Sequence, residues 1–463
     1  MLTFNPILAV DSYKLSHAKA YPSNVTGMTS YIEARTGGRD MIVPFGLQMW
    51  ITKFLSHPIT VAHIDEAEAF ASLHGEPFDR TPWEYMIKTY EGFFPVTILA
   101  VPEGLPVPSG NVIVNITCAD PKLFWVASYL ETAMLRAVWY PTTIATMDYA
   151  IKKDIAHFYR ISGADLNMLG FALHDFGGRG VTSAEQAEIG GAAHLVNFMG
   201  SDTIEGVRAA NYYYGSQMAG FSVPASEHSI ECSFGSDIES EAEYLKHMLD
   251  TYAKPGAIVS IVIDGYDVYR AASLLCTRFK NQIIASGAKI VFRPDSGDMM
   301  EVVPRILEMQ ASAFGYVTNA KGYKKINNVG LLQGDGVDHM SIKSLLGKTL
   351  ALGYSADNIV FGSGGALLQK VNRDTFKFAQ KASAVLKDGK WVGISKKPIT
   401  DSGKQSKEGF LVLMRSKITG EFITANSMNR LSEEFENVMD VVYSYGYQYN
   451  KQTLDQIRAR CVV

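Results

Sequence analysis

Cysteine is scarce: the 463 residues hold four, Cys118, Cys232, Cys276 and Cys461, with no C-x-x-C pair among them. That spacing argues against a thiolate metal cluster or a disulfide framework and fits a reducing compartment. An excess of one charge is lacking too. The formal net charge is −4, so nothing global attracts nucleic acid or an anionic membrane, and any anion site must be local. The densest apolar run, Ala257 to Ile263, is far shorter than the roughly 20 residues that span a bilayer. The opening MLTFNPILAVDSYK has neither the basic start nor the apolar length of a signal peptide. Cys461, third from the end, makes no prenylation box. The expectation is a soluble cytoplasmic protein with no nucleic-acid or membrane partner.

What is present is globular, 47% hydrophobic and 19% charged, with length for two or three domains. The middle of the chain repeats a rhythm in which a short β-prone run ends in glycine or charge and a helical stretch follows. Strands are expected at 168–173, 195–198, 258–263, 289–292, 329–332 and 358–361, with helices at 266–285 and 338–346. Near-continuous Val/Ile runs predict strands covered on both faces, as in a parallel sheet. After these runs come His174-Asp175-Phe176, Gly200-Ser201-Asp202, Asp264, Arg293-Pro294-Asp295, Gly334-Asp335-Gly336 and Gly362-Ser363-Gly364-Gly365. In a (β/α) barrel all such positions open onto one face, where active sites form; a doubly wound sheet is the alternative. The ends of the chain, with alternating runs such as 112–117 and 410–414, predict a β-rich domain over 1–145 and 375–463 beside a barrel over 146–374.

Several segments carry chemistry. VFGSGGALLQK reads as strand, glycine turn and helix, an arrangement in which backbone N–H groups meet phosphate, and GLLQGDGVD repeats it. The common nucleotide motifs fail: Gly347-Lys348-Thr349 lacks the leading glycine of a P-loop, since position 342 is Ile. FRPDSGD sets a guanidinium beside a carboxylate, suited to phosphate, ribose hydroxyls or Mg²⁺. His228 lies between Glu227 and Glu231, and Lys396, Lys397, Lys404 and Lys407 crowd one loop; spacing alone singles out neither.

In order along the chain, DSYKLSH, YIEAR, HDFGGRG, HLVNFMGSDT, SVPASEHS, RPDSGD, QGDGVD and FGSGGALLQK together resemble the nicotinamide phosphoribosyltransferases of the type II phosphoribosyltransferase family. The resemblance runs from about residue 7 past residue 405. It implies an α/β fold, an irregular (β/α) barrel with a second β-rich domain built from both chain ends, assembled as a homodimer with shared active sites. It also implies transfer of the phosphoribosyl group of PRPP to nicotinamide with Mg²⁺, and ATP hydrolysis through a phosphohistidine. By the same resemblance Phe176 and a partner's Tyr13 sandwich the pyridine, Asp202 takes the amide N–H, and Arg179 and Arg293 meet the nicotinamide oxygen or sugar phosphate. Asp264 and Asp295 hold ribose hydroxyls and organise metal. Gly334, Asp335, Gly364, Gly365 and Arg373 form the 5′-phosphate and ribose pocket. His228 is the phosphorylated histidine, and Arg35, Lys381, Lys396 and Lys404 lie near pyrophosphate or ATP phosphates. An ionised Asp202 would repel nicotinate, which favours the amide. Gly178 and Gly330 depart from the family pattern, which has an aromatic and in some members an arginine there, residues that bear on ATP or phosphate contacts. The rival readings are a nicotinate phosphoribosyltransferase and a non-catalytic nucleotide-binding or signalling protein.

Overall fold

The computed structural model describes residues 4–35, 39–400, 405–429 and 432–463. They pack as two units, one of residues 1–146, 212–216 and 371–462, the other of residues 147–211, 217–370 and 463.

The second unit is built on six parallel strands: β1 (Leu173–Asp175), β2 (Gly200–Ser201), β3 (Ile258–Val262), β4 (Lys289–Arg293), β5 (Val329–Gln333) and β6 (Ile359–Ser363). Their order in the sheet is β2-β1-β6-β5-β4-β3. The short stretch 221–226 spans the two edges, since Phe221 bridges Gly200 of β2 and Ala225 bridges Ser260 of β3, both in parallel sense. Taken around the ring, β1, β2, this stretch and β3 to β6 follow one another in chain order, and β6 returns to β1. The curled sheet is the barrel expected. Its longer strands are almost wholly buried, as in VGLLQ of β5, because helices such as Met299–Phe314 and His339–Ala351 cover them.

Two expected strands are corrected. The run 168–173 is mostly a 3₁₀ turn, Leu166–Phe171, whose start is capped by Asp165, and β1 begins only at Leu173. The run 195–198 follows helix Ala184–His194 directly, and β2 begins at Gly200. A short apolar run has no period that separates a strand from the buried end of a helix. The helix expected over 266–285 is two, Val268–Cys276 and Lys280–Ser286.

The first unit carries a seven-stranded sheet in which Val25–Ala34 pairs antiparallel with Phe378–Lys387 on one side and with the central strand, Val112–Cys118, on the other. Strands from both ends of the chain thus share one sheet. A three-stranded sheet is centred on Leu411–Ser416. No helix among the described residues is long and apolar enough to cross a membrane.

Candidate active site

Parallel register collects the barrel's strand-end residues on one face. Asp175 pairs with Ser201, so Phe176 and Asp202 follow as neighbours on adjacent strands. The Asp202 N–H donates to the Asp175 carbonyl (2.9 Å). Its side chain is exposed and accepts from Ser222 Oγ (2.5 Å), a residue of the closing stretch. The Phe176 ring packs against β6: a Cβ at Gly362 would fall 2.0 Å from it, so only glycine admits the aromatic there. Arg179 stands exposed in the turn Gly178–Gly180 that follows.

On the opposite arc, Val262 pairs with Arg293 and the Ile263 N–H donates to the Arg293 carbonyl (3.2 Å). Asp264 and Asp295 come one and two residues beyond that bond. Asp264 accepts from His228 Nε2 (3.0 Å), the first residue of helix His228–Phe234; the imidazole is 45% exposed and the carboxylate 3%. Because a carboxylate only accepts, this bond puts a hydrogen on Nε2, so that in the neutral ring the lone pair is on Nδ1. Asp295 packs on the next strand end, where a Cβ at Gly334 would lie 2.7 Å from its Oδ1. The Nε–H of Arg293 is buried with no hydrogen-bond partner, a donor left for an anion or hydroxyl.

A pattern not singled out in the sequence explains which acids are available. Three successive strand ends carry Asp-x-x-Asp: Asp264/Asp267, Asp295/Asp298 and Asp335/Asp338. The second member always caps the following helix: Asp267 accepts from the Tyr269 and Arg270 N–H groups, Asp298 from Met300, and Asp338 from Met340 and Ser341. Capping consumes that carboxylate and leaves the first of each pair to face the site. It also revises the phosphate expectation. The helix after QGDGVD has its N-terminal donors taken by Asp338, and the helix after FGSGG is the single turn Gly365–Leu368. What remains for an anion is the open backbone at Gly334-Asp335 and Gly364-Gly365.

Glu231, named in the sequence only as a neighbour of His228, proves to be a buried acid in its own right. It sits one turn beyond His228 with its side chain fully buried, and Oε2 accepts from the Gly265 N–H (3.0 Å). Burial, reinforced by the Asp264 charge, pushes its carboxyl up to about 7. The spacing His-x-x-Glu on a helix was the available signal.

The remaining candidates belong to the first unit. Tyr13 is 51% exposed on the turn Ser12–Lys19, which the buried Lys14 anchors through Glu131 (2.8 Å) and the Ser128 carbonyl (2.7 Å). Arg35 Nε and Lys407 Nζ both reach the buried Glu33, and Lys381, opposite Tyr31 in the sheet, lies 3.5 Å from Glu131. The Lys407 N–H donates to the Tyr31 hydroxyl (2.9 Å), and Lys396 and Ser406 exchange hydrogen bonds, so the basic loop is pinned at both flanks. Arg373 is exposed beside Asp374. Lys404 lies outside the described residues. Among the described residues no three His, Cys, Asp or Glu side chains converge to hold a metal by themselves.

The chain is similar to known proteins. Residues 171–446 match the model of the nicotinate phosphoribosyltransferase (NAPRTase) family, and residues 5–98 that of the nicotinamide phosphoribosyltransferase N-terminal domain. The chain is 45% identical over 459 residues to a nicotinamide phosphoribosyltransferase of Xanthomonas campestris pv. campestris, covering 98% of this chain and 97% of the relative. It is 31% identical to one of Acinetobacter baylyi, with the same coverage of 98% and 97%. The fold is similar to that of a nicotinate-nucleotide pyrophosphorylase from Pyrococcus furiosus, with a TM-score of 0.62 at 15% identity, covering 100% of this chain and 96% of that one.

Proposed function

Because this chain belongs to the nicotinate phosphoribosyltransferase family, we propose that it transfers the 5-phosphoribosyl group of PRPP to the ring nitrogen of nicotinamide, forming nicotinamide mononucleotide and pyrophosphate. The observation that carries the choice of acceptor is the exposed Asp202 carboxylate beside Phe176 on the neighbouring strand end. A carboxamide offers that carboxylate an N–H, whereas nicotinate brings a like charge that costs several kcal/mol. Both relatives named above are nicotinamide phosphoribosyltransferases, which supports the same choice.

The reaction asks the protein for position and charge more than for covalent chemistry. Phe176 and a partner subunit's Tyr13 hold the pyridine as two faces of a sandwich, and Asp202 and Arg179 fix its rotation. The exposure of Tyr13 on its anchored turn supports its use by a second copy of the chain. Asp264 and Asp295 hold the ribose hydroxyls and Arg293 a phosphate or hydroxyl oxygen. The open backbone of Gly334-Asp335 and Gly364-Gly365 receives the 5′-phosphate, and Arg373 is assigned the same phosphate by its charge. Arg35, Lys381, Lys396 and Lys404 neutralise the departing pyrophosphate. Asp264 and Asp295 are two hard oxygen donors without a third protein ligand, a set that suits Mg²⁺ shared with substrate phosphates. When bound, Mg²⁺ would stabilise the negative charge that gathers on pyrophosphate. ATP acts as an auxiliary co-substrate. His228, with Nε2 on Asp264 and Nδ1 free, is the nucleophile that takes its γ-phosphoryl group. The cytoplasm supplies both PRPP and ATP.

The test offers purified protein PRPP and Mg²⁺ with nicotinamide or nicotinate, each with and without ATP. Turnover with nicotinamide alone is expected, with ATP stimulation that His228→Ala abolishes while ATP-independent turnover persists. Preference for nicotinate would retain the family and refute the acceptor assignment. An absence of turnover with either base would favour a non-catalytic binding protein.

A further inference from the structure

Behind the strand end that carries Asp202 lies a buried charged group that the proposed reaction does not use. His194 ends helix Ala184–His194, and it, Asp148 and Asp175 are all fully buried. His194 Nδ1 stands 2.8 Å from Asp148 Oδ2, and Nε2 stands 3.0 Å from the Gly200 carbonyl. A carbonyl only accepts, so Nε2 carries a hydrogen. The second proton is shared between Nδ1 and the Asp148 carboxylate, and either way the donor toward Gly200 is fixed. Burial alone would favour a neutral ring. Asp148, with the Asp175 charge behind it, outweighs burial and raises the imidazole above its ordinary value.

Gly200 opens β2, which with Ser201 is only two residues long. The strand meets β1 at two register positions and the closing stretch at one bridge. Backbone bonds tie its flanks, from the Met199 N–H to the Gly170 carbonyl, the Ser201 N–H to the Phe221 carbonyl and the Asp202 N–H to the Asp175 carbonyl, and the charge-assisted bond from His194 adds a side-chain restraint at its first carbonyl. Asp202 follows two residues later.

We propose that the buried Asp148–His194 pair is a positioning device for Asp202: the His194 N–H holds the Gly200 carbonyl, fixes β2 in register, and thereby sets the preference for a carboxamide over a carboxylate acceptor. This rests on the reading of Asp202 as the group that meets the carboxamide. His194 is a positioning residue, since it touches neither substrate.

The experiment compares His194→Phe, Asp202→Asn and the double variant, measuring kcat and KM for nicotinamide, nicotinate and PRPP. Removing the donor is expected to lower the nicotinamide-over-nicotinate ratio of kcat/KM roughly tenfold, through KM for the base and with KM for PRPP unchanged. The double variant should lose no more preference than Asp202→Asn, because both act on one carboxylate. Parental preference in His194→Phe, or losses that multiply in the double variant, overturns the proposal. If Asp202→Asn itself keeps the parental preference, the Asp202 reading fails and the proposal falls with it. If Asp202→Asn loses preference and His194→Phe does not, the proposal alone fails. Should His194→Phe not fold, Asp148→Asn carries the test: weakening the charge assistance should cost about threefold in the same ratio, and no change refutes it. Imidazole ¹⁵N resonances of the unaltered protein should show His194 Nε2 protonated; a bare Nε2 also refutes it.

Discussion

The barrel unit and the antiparallel unit distribute their candidate residues differently. In the parallel sheet every strand points the same way, so whatever follows a strand arrives on one face. Phe176, Asp202, Asp264, Asp295, Gly334 and Gly364 need no more than the strand rhythm to be brought together. In the seven-stranded sheet neighbours run in opposite directions. Arg35 and Lys381 come to neighbouring strands only because two segments from opposite ends of the chain are paired. A parallel sheet gathers chemistry by position along the strand, whereas an antiparallel one gathers it by register between distant segments.

If the barrel face conducts the transfer and the antiparallel unit steadies the leaving group, substitutions should separate them by parameter as well as by size. The largest effect is expected at Asp295: Asp295→Asn should lower kcat by roughly 10²–10³, checked by steady-state rates across a Mg²⁺ titration, and a change confined to KM would blur the division. Next, Phe176→Ala should reduce kcat/KM for nicotinamide by about tenfold through loss of the stacking face, with KM for PRPP held; isothermal titration of nicotinamide reads the same loss. In the other unit, Lys381→Ala should raise KM for PRPP only about threefold, and the gap from the parent should shrink at high salt. An effect on kcat as large as that of Asp295→Asn would erase the comparison.

The smallest effect concerns stability. Glu231 titrates at about 7 in the fold, above the ordinary carboxyl value, because it is buried and faces the Asp264 charge. A raised carboxyl keeps its proton longer folded than unfolded. Its stabilisation is therefore complete at low pH and is lost as pH rises from the ordinary carboxyl value to about 7. Glu231→Gln should raise the thermal midpoint by a few degrees at pH 8 and leave it unchanged near pH 4, as melting curves at the two values would show.

The sequence made the barrel legible where strands are long and β-branched. The runs at 258–263, 289–292 and 329–332 end within one residue of β3, β4 and β5, and the run at 358–361 within two of β6. It misled at β1 and β2, which have three and two residues: strands that brief have no alternation, and the apolar neighbours that drew attention belong to a 3₁₀ turn and a helix end. The division of labour within Asp-x-x-Asp was visible in principle, since a cap residue precedes each helix. The Asp148–His194 pair was not, because its partners stand 46 residues apart and nothing in local spacing links them.

The ring order of the barrel bears on when the site comes into being. Each strand finds its neighbour next along the chain until β6, which must return to β1: Phe361 meets Leu173 and Ser363 meets Asp175. This is the pairing of greatest sequence separation in the sheet, and closing so long a loop is slow. The Phe176 ring rests on Gly362 of that last strand. A ribosome-bound chain halted before residue 359 therefore holds most of the acidic strand ends but lacks the surface on which the Phe176 ring rests, and that ring is set in place only with the final stave.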